Sequence, residues 1–439
     1  MFSNRYLAAM GGSTALGLMV IACGGESVQR RHEATASGGT AAGVGSGGNT
    51  SLGSASGGKA TGEAPGTGGP STGGANNAAP AGGTNNAAPA GGAASVASGG
   101  TAPLPVGSGG VNSNASGGNA ATSLGGTFND GAASPPVPPN LVTYVTGNDA
   151  DANVAPSGPG LILMGGGTDV TAAFEWWNGL ITHGDIVILR TSGADGYNNY
   201  LFDMGGADSV ESMLVTDRDL ANSDYVRYRV SHAEGVFMAG GDQSTYINFW
   251  KGTAVQEALR MVYARGGVIG GTSAGLAVLG EFVYSATQGS AISTEALSDP
   301  FARNITLDRG ILEFPALKSV VTDTHFAQRD RFGRLVSFVA RTVADGWAPG
   351  SYGVGVSEAT AIVIGSDNVG HVLGSNQAYI VEGAKQPEQC AAGQTLTFKG
   401  LRYARLQAGD SVQFPLSAAT ALPLTVSAEG GELNPASPY

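Results

Sequence analysis

The chain has 439 residues with a formal net charge of −12, and 72 of its residues are glycine. Of these glycines, 31 lie in residues 24–139, and no Phe, Trp or Tyr occurs between Gly24 and Thr127. This uneven composition excludes one compact globule spanning the whole chain. The absence of any run of about 18 apolar residues excludes a multi-pass membrane protein. The acidic balance argues against nucleic acid or anionic membrane surfaces as main partners.

Residues 1–22 have the features of a signal peptide, with one positive charge at Arg5 and then an uncharged stretch that ends in small residues. The sequence Val-Ile-Ala-Cys at 20–23 resembles a bacterial lipobox. That resemblance implies lipidation of Cys23, and an ordinary signal peptide followed by an incidental cysteine is the alternative. Gly24 is not the Asp that retains such proteins at the inner membrane, so the outer membrane or cell surface is favoured. We assign no role to Cys390, because no second cysteine remains to pair with it.

Residues 23–139 are predicted to be a disordered tether rich in Gly, Ser, Ala, Asn and Pro. Residues 73–81 (GGANNAAPA) and 82–90 (GGTNNAAPA) are near copies that contain nothing able to form a core. A flexible chain of this length has a root-mean-square span of roughly 55–65 Å. Such a segment would hold a domain away from a lipid surface.

Residues 140–415 are predicted to form one α/β domain, followed by a C-terminal tail at 416–439. Four short apolar runs precede glycine-rich loops or follow helical patterns and are predicted to be buried strands: 161–164, 185–189, 235–239 and 267–270. Val255, Ala258, Leu259 and Val262 have the spacing of a helix face. This alternation predicts a mostly parallel sheet with helices on both faces. Ligands of such folds bind beyond the carboxyl ends of the strands.

The pentapeptide Gly-Thr-Ser-Ala-Gly at 271–275 matches the G-x-S-x-G nucleophile elbow, and it lies between a predicted strand and a predicted helix. In such an elbow Ser273 Oγ is exposed at a sharp turn, and the Ala274 N–H points at the oxyanion. A chance match in a glycine-rich chain is the alternative.

A serine nucleophile needs a base. Among the five histidines we favour His325, which ends an apolar strand at the active edge, over His32, His183, His232 and His371.

The segment after this histidine is rich in charge, with Asp323, Arg329, Arg331 and Arg334 within twelve residues. A helix that begins near Arg331 is predicted by the spacing of four apolar residues: Phe332, Leu335, Val336 and Val339. Arginine at a helix start opposes the helix dipole. A solvated helix end is one interpretation, and a pocket that binds carboxylates through arginine forks is the other.

Three motifs in order, GGDQ at 240–243, GTSAG at 271–275 and DTHFAQRDRFGRL at 323–335, resemble the cyanophycinase-type serine peptidases, which include aspartyl dipeptidases. The resemblance covers about 200 residues. It implies a fold similar to class I glutamine amidotransferases and no metal or other cofactor. It also implies hydrolysis of a polymer with an aspartate backbone that carries arginine, with release of β-Asp-Arg.

The resemblance assigns roles to residues that match the family motifs. Ser273 resembles the nucleophile, His325 the general base, and the Gly241 and Ala274 N–H groups the oxyanion hole. The substrate pocket of the family is matched by Gln243, Asp323, Arg329, Arg331 and Arg334. In that pocket Asp323 would meet a guanidinium or amine, and the arginines a carboxylate. Thr324 stands where the family has Gln, which puts cyanophycin itself in question as the substrate.

The third member of the triad is the least constrained assignment. The acids between the serine and the histidine are Glu281, Glu295, Asp299, Asp308 and Glu313. We favour Glu295, which lies in a polar stretch leading back toward the site. Glu358 also matches a family motif, as an acid or a substrate binder.

Together these features predict a lipid-anchored, secreted serine exopeptidase that hydrolyses (β-)aspartyl bonds through a Ser-His-acid triad. The expected partners are a peptide or cyanophycin-like polymer and, through the anchor, a membrane; a homodimer is also considered. An α-aspartyl dipeptidase and a non-catalytic surface binding protein on the same fold are the alternatives.

Overall fold

The computed structural model describes residues 28–30 and 133–439. The predicted signal peptide, Cys23 and most of the predicted tether lie outside these residues. No helix in the described ranges is both long enough and apolar enough to cross a bilayer.

The described ranges contain strands of three to nine residues and mostly short helices. The strands are β1 (Val28–Arg30), β2 (Val142–Gly147), β3 (Gly160–Met164), β4 (Asp185–Arg190), β5 (Ser209–Leu214), β6 (Gly235–Met238), β7 (Val268–Thr272), β8 (Phe282–Tyr284), β9 (Leu307–Arg309), β10 (Val320–Asp323), β11 (Ser351–Val356), β12 (Thr360–Ile364), β13 (Val369–Gly374), β14 (Ala378–Gly383), β15 (Phe398–Leu406), β16 (Ser411–Gln413), β17 (Leu424–Glu429) and β18 (Glu432–Asn434). The helices are α1 (Thr171–Ile181), α2 (Asn198–Phe202), α3 (Arg218–Ala221), α4 (Asp224–His232), α5 (Gln243–Trp250), α6 (Ala254–Ala264), α7 (Ala274–Ala277), α8 (Ser293–Ser298) and α9 (Phe332–Ala344), with a 3₁₀ turn at Pro315–Leu317.

The first sheet has the strand order β1-β2-β5-β4-β6-β7-β3-β12-β13-β16. Its centre, β5-β4-β6-β7-β3, is parallel, and the strands outside it pair antiparallel. The predicted α/β fold is therefore confirmed, as a parallel centre within a larger mixed sheet. The edge strand β1 is formed by three residues of the predicted tether, with Val28 opposite Val145.

Successive side chains of the central strands enter two different cores, as the pleat of a strand requires. On one face Leu161, Leu163 and Ile269 pack with α4 and α6. On the other face Ile162 and Met164 pack with α1 and α2. Because both faces are covered, these strands are apolar throughout, which is the pattern that the sequence showed.

The second sheet, β18-β17-β15-β14-β11-β10-β8-β9, was not predicted. Strands β8, β10 and β11 are parallel neighbours, and the remaining pairs are antiparallel. One face packs against α8 and α9 in a core rich in aromatic side chains. Residues of the other face, Val320 and Val354 among them, join the core of the first sheet.

The prediction that residues 416–439 form a C-terminal tail outside the domain is wrong. Strand β17 pairs with β15, and β18 pairs with β17, so residues 424–434 extend the second sheet. Val426 and Ala428 of β17 are buried in the aromatic core. The β15–β17 pairing joins segments separated in sequence, with Phe398 opposite Ala428, whereas β17 and β18 form a local hairpin around Gly430 and Gly431.

Candidate active site

The Ser273 elbow lies between β7 and α7. Ser273 has φ 51° and ψ −115°, a left-handed backbone conformation that is rare for a non-glycine residue. A Cβ added to Gly275 would lie 2.0 Å from the Met238 carbonyl oxygen, and one added to Gly271 would lie 2.4 Å from the Gly275 carbonyl carbon. Only glycine fits at these two positions, so the motif produces the sharp turn that the sequence predicted.

His325 comes to this serine from the second sheet. It follows β10 by two residues, and its backbone N–H donates to the Gly165 carbonyl at 2.8 Å, in the loop after β3. Its Nε2 lies 2.7 Å from Ser273 Oγ. His325 is 7% exposed. The structure therefore brings together the two residues predicted to be nucleophile and base, within the reach that proton transfer needs.

The carboxylate on the far side of the imidazole belongs to Glu358. Its Oε1 lies 2.7 Å from His325 Nδ1. Glu358 follows β11, which runs parallel to β10 with Gly355 opposite Asp323. Its own amide donates to Gln328 Oε1 at 2.9 Å. This is the geometry in which an acid selects the histidine tautomer with a proton on Nδ1 and leaves Nε2 free to accept.

A glycine loop after β3 shapes this arrangement. A Cβ added to Gly166 would lie 2.5 Å from His325 Cε1, and one added to Gly167 would lie 3.0 Å from Glu358 Cβ. This loop follows the first of the four predicted strands. Its close approach to both side chains is the reason that glycine occupies these positions.

Burial lowers the pKa of His325 below its ordinary value, and the positive charges of Arg329 and Arg331 lower it further. The hydrogen bond to Glu358 and its negative charge act in the opposite direction. The net lowering keeps the imidazole neutral at neutral pH, which is the form that can accept a proton from a serine.

The expected oxyanion donors flank the serine. Ala274 begins α7, so its N–H has no acceptor within the helix. A Cβ added to Gly240 would lie 3.5 Å from Ser273 Cβ, which places the Gly240-Gly241 turn against the nucleophile. Gln243 begins α5, half-buried, with its Nε2 at 3.5 Å from the Tyr284 carbonyl.

The structure does not place Glu295 at the histidine. Glu295 is exposed on α8, where its Oε2 accepts from the Ile292 amide at 3.2 Å and from Asn304 Nδ2 at 2.9 Å. Its polar surroundings, which favoured it in the sequence, are therefore those of a helix start. The other acids considered contact residues other than His325: Glu281, Asp299, Asp308 and Glu313.

Asp323 and Arg334 bind each other and do not form a free substrate pocket. Arg334 Nε lies 2.7 Å from Asp323 Oδ2, its Nη2 lies 2.5 Å from Oδ1, and both side chains are almost fully buried. Arg334 Nη1 also donates to the Ala291 carbonyl at 2.9 Å. The expectation that Asp323 meets a substrate cation, and Arg334 a substrate carboxylate, is corrected accordingly.

Arg331 and Arg329 differ in their surroundings. Arg331 is largely buried, 3.6 Å from Asp323, and donates to Thr324 at its carbonyl and at Oγ1. Burial lowers its pKa to about 10. Arg329 is exposed and forms no ion pair within the described residues. It is therefore the arginine of this segment that is available to a ligand, while the Thr324 hydroxyl is occupied inside the protein.

His32 lies outside the described residues, and the three other histidines within them do not contact Ser273. His183 and His371 are exposed, and His232 stacks on Tyr228. Within residues 28–30 and 133–439 no group of three or more His, Cys, Asp or Glu is positioned to hold a metal ion.

Comparisons with known proteins place the chain among peptidases. The family model "Peptidase family S51" matches residues 198–302. A cyanophycinase of Trichormus variabilis is 31% identical over 229 residues, which cover 51% of this chain and 70% of the relative. A cyanophycinase of a Nostoc species has the same identity and coverage.

Among solved structures, a peptidase from an acI-B1 Actinobacterium is similar with 18% identity and a TM-score of 0.42, covering 59% of this chain and 99% of that one. The family match and the relatives carry the assignment: the chain belongs to the cyanophycinase-type serine peptidases of peptidase family S51.

Proposed function

We propose that this chain hydrolyses peptide bonds through Ser273 as nucleophile, His325 as general base and Glu358 as the acid that orients the imidazole. The hydrogen-bonded series from Ser273 Oγ through His325 to Glu358 Oε1 carries this proposal. Each link is 2.7 Å, and the serine is held at a strained turn.

In the proposed reaction Ser273 Oγ bonds to the scissile carbonyl carbon as its proton moves to His325 Nε2. The N–H groups of Gly241 and Ala274 donate to the resulting oxyanion. His325 then gives its proton to the leaving amine, and the carbon–nitrogen bond breaks. Water deprotonated by the same imidazole hydrolyses the acyl-serine ester and restores the enzyme.

We propose aspartyl peptides, including β-linked ones, as the substrate class. The relatives are named cyanophycinases, and exposed Arg329, close enough to His325 to influence its charge, can pair with a substrate carboxylate. A peptidase that cleaves aspartyl dipeptides but not cyanophycin is the second candidate. The observation that favours it is Thr324, which is buried and holds Arg331 where the family has Gln.

We also propose that lipid on Cys23 holds the domain at the outer membrane or the cell surface. The lipobox-like sequence at 20–23 and the following glycine at position 24 support this location.

The test is incubation of the purified chain with insoluble cyanophycin and with α- and β-aspartyl dipeptides, beside Ser273→Ala. Release of β-Asp-Arg by the wild type alone supports the cyanophycin substrate. Cleavage of the dipeptides but not of cyanophycin supports the second candidate. No turnover, together with an inert Ser273 toward a serine-directed probe, favours a binding protein and contradicts the proposal.

A further inference from the structure

Tyr439 forms a hydrogen bond with the first residue of α9, the helix that begins seven residues after His325. Its phenol oxygen accepts a hydrogen bond from the Phe332 amide at 2.8 Å. Phe332 is the first residue of α9, and Arg331 before it provides no side-chain cap. The first amides of a helix lack acceptors within the helix, so an oxygen at this position satisfies one of them.

The ring of Tyr439 also packs against both ends of the segment 326–332, which is defined here as the histidine loop. Its centroid lies 6.0 Å from that of Phe326 and 5.9 Å from that of Phe332. Tyr379 of β14 completes the cluster at 5.7 Å. Phe326 directly follows His325 and is fully buried, so the ring that Tyr439 contacts is joined to the base by one peptide bond.

The histidine loop is connected to His325 by its own backbone as well. The Arg329 amide donates to the His325 carbonyl, and the Arg331 amide donates to the Phe326 carbonyl, each at 3.0 Å. Arg329 and Arg331 influence the charge of the imidazole, so a displacement of this loop moves both the ring and the charges around it.

The segment that carries Tyr439 is itself held in place. The Tyr403 hydroxyl of β15 donates to the Pro438 carbonyl at 3.2 Å, and Pro438 is buried. The part of the chain that forms β17 and β18 in the second sheet therefore also places Tyr439 against the histidine loop.

We propose that Tyr439 is a positioning residue, which fixes the histidine loop and thereby the orientation of His325 toward Ser273. The proposal rests on the proposed function of His325 as the base. Tyr439 does not contact the reacting atoms, and its effect is transmitted through Phe326 and the start of α9.

The experiment compares Tyr439→Phe, which keeps the ring and removes the oxygen, with Tyr439→Ala, which removes both. Tyr352→Phe is the matched control, because the Tyr352 hydroxyl donates to Glu382 in the same sheet, outside the proposed site. The full chain is used in mild detergent with an aspartyl peptide that the wild type cleaves. Rates are normalised to the fraction of enzyme that a fluorophosphonate labels.

Loss of the hydroxyl, which bonds to the Phe332 amide and to the Asp330 side chain, is expected to lower the normalised kcat about fivefold in Tyr439→Phe. The alanine variant is expected to lose more. The pH profile of kcat/KM provides the second readout. The groups facing the imidazole are Ser273, Glu358, Arg329 and Arg331. A loosened loop hydrates the ring and withdraws the arginines, so the acidic limb is expected to move to higher pH.

Tyr352→Phe is expected to match the wild type in both readouts. A normalised kcat and an acidic limb unchanged in both Tyr439 variants would overturn the positioning role. The same holds if the raw rates fall only in proportion to the labelled fraction, because that is the behaviour of a purely structural residue. A wild type that neither labels nor cleaves any aspartyl peptide overturns the proposed function and, with it, this inference.

Discussion

At the scale of single residues, the site depends on which carboxylate meets His325 Nδ1. The sequence favoured Glu295 for its polar stretch between the serine and the histidine, and Glu358 was the alternative because it matches a family motif. Glu358 lies 2.7 Å from the ring, whereas Glu295 binds the start of its own helix and Asn304. The choice between them depends on β11 lying beside β10, a sheet neighbour that no local pattern indicates.

Replacing the two acids separates their roles. Glu358→Gln is expected to lower kcat by about 10³–10⁴-fold, because an amide no longer stabilises the imidazolium or its tautomer. Glu295→Gln is expected to change kcat less than about twofold, since the weakened contacts lie at an exposed helix start. Steady-state kinetics on one aspartyl peptide measures both, with circular dichroism to verify folding. Equal losses in the two variants would contradict the assignment.

The lowered pKa of His325 predicts how kcat/KM depends on pH. The base acts when neutral, so kcat/KM rises with pH through the pKa of His325 in the free enzyme. We expect the midpoint of this acidic limb below the ordinary histidine value of about 6.5. Arg329→Gln removes one of the causes of the lowering, so its limb should lie at higher pH.

Arg303→Gln is the control for this profile, since Arg303 is hydrogen-bonded to Gln288 and does not contribute to the lowered pKa of His325. A wild-type midpoint above 6.5, or equal shifts in the two variants, would show that the arginines do not set the charge of this base.

At the scale of elements, the strand–elbow–helix unit was predictable because it is local. The apolar strand β7, the glycines at 271 and 275 and the following helix are neighbours in sequence, and steric contact fixes their geometry. The roles of Asp323 and Arg334 were not predictable, because they depend on how α9 packs on β10.

Two glycine substitutions test the elbow. Gly275→Ala places a Cβ against the Met238 backbone, and we expect it to destabilise the fold by about 1–3 kcal/mol. Gly179 lies in α1, where an added Cβ would meet nothing within 4 Å, so Gly179→Ala is expected to stabilise the protein by about 0.5–1 kcal/mol. Chemical denaturation measures both. Similar effects of the two substitutions would contradict the claim that steric contact at position 275 requires glycine.

The buried Asp323–Arg334 pair makes a further stability prediction. Arg334→Met leaves the Asp323 carboxylate without its bidentate partner, and we expect a loss of about 3–5 kcal/mol. Lys385→Met breaks the exposed pair with Glu388 and is expected to cost less than about 1 kcal/mol. If the two variants unfold at the same denaturant concentration, the buried pair does not stabilise the fold more than the exposed one.

At the scale of the whole molecule, the site forms where the two sheets meet. Ser273 comes from the first sheet, and His325 and Glu358 come from the second. The link is direct, because the Thr322 hydroxyl of β10 donates to the Leu276 carbonyl of α7 at 2.9 Å. The apolar runs of the sequence predicted four strands of the first sheet, which are β3, β4, β6 and β7. The second sheet includes pairings between distant segments, such as β8 with β10.

The proposed anchor is tested on the whole chain. In a bacterial host, wild-type protein is expected to incorporate labelled palmitate and to enter the detergent phase of a phase-separation assay. Cys23→Ser is expected to remain unlabelled and aqueous, with unchanged activity per molecule. Identical partition of the two proteins would contradict lipidation at this cysteine.

The most direct test of the central claim is the site at which a fluorophosphonate labels the native chain. The Ser273–His325–Glu358 geometry predicts one adduct, mapped to Ser273 by peptide mass spectrometry, with parallel loss of peptidase activity. Ser273→Ala should give no adduct, and His325→Ala should be labelled far more slowly. Hydrolysis that persists in Ser273→Ala, or an adduct on a different serine, would contradict the assignment of Ser273 as the nucleophile.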